Sequence, residues 1–155
     1  MNFIKDVEAL FVNKVNPDVY LLSSDAQVSN LSSLSAILRF SFFYINGEEI
    51  KNKESFLRIS GEALDFPDYY GRNWDAFEEC IRDFGWCPAE GYLVLYDHFE
   101  AFALNASGEF KVALAIFRSA IKYWNETNKI SMYLLLKDNG RKFFSVMCVL
   151  EDMLT

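Results

Sequence analysis

The sequence predicts an α/β fold: a small, mainly parallel sheet of three to four strands packed by helices. Three observations carry this expectation. Short apolar runs alternate with amphipathic stretches along the chain, the rhythm of βα units. Residues 107–124 place Phe110, Ala113, Leu114, Phe117, Ile121 and Trp124 on one helical stripe, and residues 130–136 form a strand of the buried type. The chain has 155 residues, 52% of them hydrophobic and 24% charged, enough to bury a core without disulfides or metals. It contains no internal repeat, low-complexity tract or long linker, so 1–155 reads as a single domain.

The elements follow in order. Phe3, Ile4, Val7, Leu10 and Phe11 recur at helical spacing and predict a short helix over 2–12, ended by Asn16-Pro17. Residues 19–22 read as a strand. Ser23, Ser24 and Asp25 are N-cap material for a helix to about residue 38, with Val28, Leu31, Leu34 and Ile37 inward. Residues 40–45 form a second strand, closed by the Asn46-Gly47 turn; this strand–helix–strand spacing predicts a parallel crossover. A helix over 53–64 uses Phe56, Leu57, Ile59 and Leu64, and DFPDYYG is a loop in which Gly71 supplies a permissive turn. Asn73 opens a helix to about residue 84, with Trp74, Phe77, Ile81 and Phe84 on one side and Cys80 at the border. Residues 91–96 are a strand, and Asp138-Asn139-Gly140 is a turn. The final segment, 141–154, is ambiguous between strand and helix and is assigned as a helix.

Composition removes several function classes. The net charge of −7 makes a poor direct nucleic-acid binder, because phosphate binding needs Lys and Arg; a basic partner suits it better. The single histidine, His98, excludes a metal site built on two histidines and reads as a surface or cap residue. Three cysteines without a CxxC pair fit reduced thiols in a cytoplasm, with Cys80 a buried small hydrophobe. The N-terminus lacks the basic start and apolar run of a signal peptide, and no run reaches membrane-spanning length, so the expected location is cytoplasmic. No cofactor, metal ligand set or catalytic residue is expected. Aromatic residues make up 17% of the chain, enough for a packed core and a contact surface.

Charge is concentrated in one segment. Residues 61–90 carry eight carboxylates (Glu62, Asp65, Asp68, Asp75, Glu78, Glu79, Asp83 and Glu90) against two arginines, Arg72 and Arg82. Asp75 and Glu79 lie four apart on the outer side of the 73–84 helix, where like charges repel. The helix dipole favours acids in the first turn, which accounts for one or two of them but not for four in nine residues. Tyr69 and Tyr70 precede them in a loop bounded by Pro and Gly, and tyrosine beside carboxylates is the composition of a protein-binding patch.

The stretch FPDYYGRNWDAFEECIRD, residues 66–83, resembles the barstar family, whose hallmark is Pro-x-Tyr-Tyr-Gly-x-Asn-x-Asp-Ala followed by an acidic helix and a Cys. Pro67, Tyr69, Tyr70, Gly71, Asn73, Asp75, Ala76 and Cys80 match it. The likeness runs from YINGEEI through YLVLYDHFEAF and LAIFRSA to ISMYLLL, about 40–136. Residues 1–39 are an added helix, strand and helix, and 137–155 a C-terminal extension. The resemblance implies a small parallel sheet with helices, and an intracellular inhibitor of a basic ribonuclease or nuclease toxin. It implies that the loop and following helix plug the nuclease, carboxylates standing where substrate phosphates bind. The partner-binding set is Tyr69, Tyr70, Gly71, Asn73, Trp74, Asp75, Glu78, Glu79 and Ser119. Glu79 replaces the family's acidic anchor aspartate, Glu78 an aromatic contact, and Ser119 a glutamate contact; Trp74 stands where an aliphatic residue is best known. Partners of other kinds, nucleic acid or membrane, are not expected, and the protein is expected as a monomer or weak dimer.

Two other classes compete. A structural or oligomer-forming module would use the amphipathic ends, residues 2–12 and 141–154. A carboxylate-based hydrolase would use Asp75, Glu78, Glu79 and Asp83, but it needs a concave site, and no Gly-rich phosphate loop, GxSxG or HExxH is present.

Overall fold

The computed structural model describes residues 2–6, 15–27 and 31–137. Among these residues five strands run β1 (Asn2–Asp6), β2 (Val19–Gln27), β3 (Phe40–Asn46), β4 (Gly91–Asp97) and β5 (Ser131–Lys137). Among the described residues five α-helices are interleaved: α1 (Leu31–Ile37), α2 (Lys53–Ala63), α3 (Trp74–Ile81), α4 (Glu100–Asn105) and α5 (Ser107–Tyr123). A π-helical turn, Trp124–Asn128, extends α5. The strands β2, β5, β4 and β3 lie in that order, every pair parallel, and β1 adds a fifth strand outside β2. The α/β architecture predicted from the alternation is therefore present.

The central strands are apolar throughout because both their faces are covered. Val94, Tyr96, Leu134, Leu136, Val19, Leu21, Phe43 and Ile45 point to one face and join the core contributed by α2–α5, including Phe56, Phe77, Phe102, Phe110 and Phe117. Leu93, Leu95, Tyr133, Leu135, Tyr20 and Leu22 point to the other, with Leu31 of α1. One-residue alternation thus divides each of β2 to β5 between two cores.

Four expectations are corrected. Residues 2–6 are a strand, not the start of a helix: Asn2, Phe3 and Ile4 pair with Tyr20, Leu21 and Leu22, and sheet pairing outweighs a helical period read over so few residues. The Ser23-Ser24-Asp25 group does not cap a helix; β2 continues to Gln27, which pairs with Asp6. Ile37 is 78% exposed, whereas Ser35 is buried, its hydroxyl donating 2.8 Å to the Leu31 carbonyl. The inward edge of α1 is thus Leu31 and Ser35, four apart. The 73–84 helix stops at Ile81; Arg82 caps it and Phe84 takes a left-handed φ of 48°. Phe84 still reaches the core through that turn, stacking 4.6 Å from Tyr92 and 5.3 Å from Phe43.

The β2–α1–β3 crossover joins parallel strands that are not neighbours, since β5 and β4 lie between them. Helix α4 was not foreseen, and residues 138–155, with the turn and helix expected there, lie outside the described residues.

Candidate protein-binding face

Two adjacent tyrosines set the loop before α3. The Tyr70 amide donates 2.9 Å to the Pro67 carbonyl, which tightens the turn. The Tyr70 hydroxyl donates 2.9 Å to the Leu57 carbonyl on α2, and its ring packs edge-on to Phe66 at 5.0 Å. Gly61 makes room for that ring: a Cβ there would fall 2.5 Å from Tyr70 Cε2. Burial, then the nearby Cys80, pushes the Tyr70 hydroxyl well above its ordinary pKa, with Arg72 opposing. Tyr69, one residue earlier, is 73% exposed. Its phenol is also raised, first by desolvation and then by the neighbouring Asp83, Cys80 and Glu79. Tyr70 pins the loop and Tyr69 is presented by it.

Asn73 starts α3 as its residue type predicts. Its Oδ1 accepts from the Ala76 amide at 2.8 Å, satisfying one of the helix's orphan donors. The left-handed residue in this turn is Arg72, with φ of 53°, and not Gly71. Gly71 matters instead for space, since a Cβ there would approach Asn73 Nδ2 to 3.2 Å.

Helix α3 then divides its residues by side. Phe77, Cys80 and Ile81 are buried against the core. The Cys80 thiol is raised by desolvation and then by Asp83 and Glu79, which keeps it protonated and inert. Asp75 and Glu79 are exposed on the outer side, Glu79 close enough to act on Tyr69, and Asp75 lies in the first turn where the dipole favours it. Trp74 is only part of the core stripe. It is half-buried, donates its Nε1–H to Glu109 Oε2 at 3.1 Å, and has Lys53 Nζ 5.9 Å from its ring centre.

The far end of α3 is tied to α5. Arg82 pairs with Glu78 at 2.9 Å, donates from the same Nη2 to the Ser119 hydroxyl, and lies over the Tyr123 ring at 5.4 Å. Trp124 Nε1–H adds a 2.9 Å bond to the Ile81 carbonyl. The nine expected site residues thus fall into three roles. Tyr69, Asp75 and Glu79 face outward. Tyr70, Gly71, Asn73 and Trp74 shape and fasten the loop and the first turn. Glu78 and Ser119 are brought together by Arg82. Sequence reasoning missed Arg82, Tyr123 and Glu109 as participants. The Glu78–Arg82 spacing of four was a visible signal, but the Tyr123 and Glu109 contacts join α5 to α3 and have no local signature.

The remaining clefts and clusters offer less. Asn52, Glu54, Ser55, Arg58 and Arg72 line an open polar cleft beside the loop. His98 follows β4, with Nε2 3.3 Å from Glu48 and Nδ1 3.8 Å from Glu100. Among the described residues no group of three or more His, Cys, Asp or Glu has metal-binding geometry. No described helix is long and apolar enough to cross a membrane.

Comparison with known proteins places the loop and face in context. Residues 40–144 match the family model described as Barstar (barnase inhibitor). The chain belongs to the Barstar family. This match begins at β3 and takes in α2 through β5, so the acidic loop–helix face lies wholly inside it, while β1, β2 and α1 lie before it. A Bacillus subtilis (strain 168) protein named "Putative ribonuclease inhibitor YrdF" is 43% identical over 51 residues, 33% of this chain. The match covers 54% of that relative, so the chain spans about half the length of the relative it matches.

Proposed function

We propose that this Barstar-family protein is a stoichiometric inhibitor that binds and blocks a basic ribonuclease or nuclease-type toxin. The observation that carries the reading is the exposed trio Tyr69, Asp75 and Glu79 on a loop and helix that Tyr70, Phe77 and Ile81 fasten to the core. A rigid aromatic beside fixed carboxylates suits a surface that binds phosphates through Arg and Lys, because the carboxylates can take the same donors. Blockade needs no catalytic group on the inhibitor. Negative charge also draws a basic partner in, an effect that salt weakens. Tyr70, Gly71, Asn73 and Trp74 support this face, and Glu78 and Ser119 form its α5 side. The free thiols of Cys80 and Cys87 fit a reducing cytoplasm as its place of action.

The test is titration of ribonuclease activity with the protein, using barnase first, at low and moderate salt. Activity falling to zero at one equivalent, with weaker inhibition at moderate salt, is the expected result. Unchanged activity at both salts, for barnase and for basic ribonucleases of the protein's own host, would contradict the reading.

A further inference from the structure

We propose that Arg82 sets the target range of the acidic face, favouring a ribonuclease whose rim offers a carboxylate or neutral acceptor to α5 and disfavouring a surface that is basic throughout. This rests on the inhibitor reading above and deepens it. Arg82 is the point where Glu78, Ser119 and Tyr123 converge: two hydrogen bonds from Nη2, and a ring 5.4 Å from the guanidinium carbon. Its Nε is buried without a hydrogen-bond partner, and about a third of its side chain (34%) is exposed. These contacts hold the guanidinium between α3 and α5, so its charge belongs to the face that a partner meets.

Two consequences follow. Glu78 is engaged by Arg82 and is not offered as a bare carboxylate, leaving Asp75, Glu79 and Asp83 as the outward acids. Arg82 itself interrupts that acidic run. A ribonuclease must hold a polyanionic substrate, so its active site presents cations, which Asp75 and Glu79 complement. A nuclease cation brought against Arg82 instead meets a like charge beside a partly desolvated arginine, which is a repulsive element of the kind that creates specificity.

The experiment measures inhibition of barnase by the wild-type protein, Arg82→Gln, Arg82→Lys and Glu79→Ala, with association rates at low salt and at about 0.5 M salt. Gln keeps a donor for Glu78 and Ser119 while removing the charge; Lys keeps the charge while removing the fork. Thermal melts confirm that each variant is folded. The expected result is that Arg82→Gln inhibits about three- to tenfold more tightly, through faster association at low salt, a gain that shrinks at high salt. Arg82→Lys stays near wild type. If the wild type does not inhibit barnase, measurable inhibition by Arg82→Gln is the expected outcome. Arg82→Gln equal to or weaker than wild type, while Glu79→Ala weakens inhibition, would show Arg82 to be a helix staple and overturn the proposal. Failure of every version to inhibit barnase would also overturn it, and the inhibitor reading would then be judged on other basic ribonucleases. A wild type that inhibits but is unmoved by Glu79→Ala would move the binding site elsewhere, a failure of the site reading rather than of Arg82 alone.

Discussion

Tyr69 and Tyr70 are neighbours in the chain and opposites in the fold. Tyr70 spends its hydroxyl on the Leu57 carbonyl and its ring on Phe66 and Gly61. Tyr69 is 73% exposed. The same division runs through α3, where Phe77 and Ile81 are fully buried while Asp75 and Glu79 face out. A binding face of this kind needs both sorts of residue. The fastened ones hold geometry so that the presented ones lose little freedom when a partner arrives. Stability and inhibition should therefore separate residue by residue, and the following variants sharpen or break that separation.

The largest effect belongs to Phe77→Ala. Phe77 touches Phe56, Phe66 and Phe117 at ring separations of 5.2–5.6 Å. Its truncation should cost about 3–5 kcal/mol in urea unfolding. Gly61→Ala comes next, since the new methyl would sit 2.5 Å from a pinned Tyr70 ring. Overpacking should cost about 1–3 kcal/mol and displace the loop, weakening inhibition as well. Asn73→Ala removes the cap of α3 and should cost about 1 kcal/mol, most of it recovered by Asn73→Ser. If Asn73→Ala left stability untouched, the account of how α3 is fixed would fail.

Alkaline pH probes the tyrosine hydroxyls, Tyr70 among them. Burial pushes Tyr70 and Tyr96 well above the ordinary 10.0, and burial with the Asp97 hydrogen bond pushes Tyr44 up to about 12. A raised folded-state pKa means that the folded protein holds the phenol proton more tightly. Stability is then full below pH 10 and falls as pH rises through the folded values. Urea midpoints measured from pH 8 to 11 should decline above pH 10, and less steeply for Tyr70→Phe, which no longer titrates there. A flat profile would contradict the burial of the Tyr70 and Tyr96 hydroxyls.

Much of this was legible in the sequence, for identifiable reasons. The helix at Ser107–Tyr123 keeps its apolar spacing over 17 residues, and β5 is apolar along most of its length, so local pattern sufficed. Asn73 carried its own cap chemistry, whereas the left-handed turn fell on Arg72 and not on the expected Gly71. Residues 2–6 were misread because a five-residue strand beside β2 is decided by its partner and not by its own period. Phe84 was placed in a helix that had already ended, since its apolar side chain fits the stripe whether or not the backbone continues. The division of the acidic residues was hidden for a related reason. Sequence could single out Glu78 and Ser119, but only packing of α3 on α5 brings Arg82 between them.

The smallest effect on stability, and the most direct test of the central claim, is Tyr69→Ala. Its inhibition constant against a ribonuclease that the wild type inhibits should be set beside its thermal midpoint. The account predicts an unchanged midpoint with inhibition weakened more than tenfold, as expected for an exposed aromatic anchor. Wild-type inhibition by Tyr69→Ala at an unchanged midpoint would contradict it.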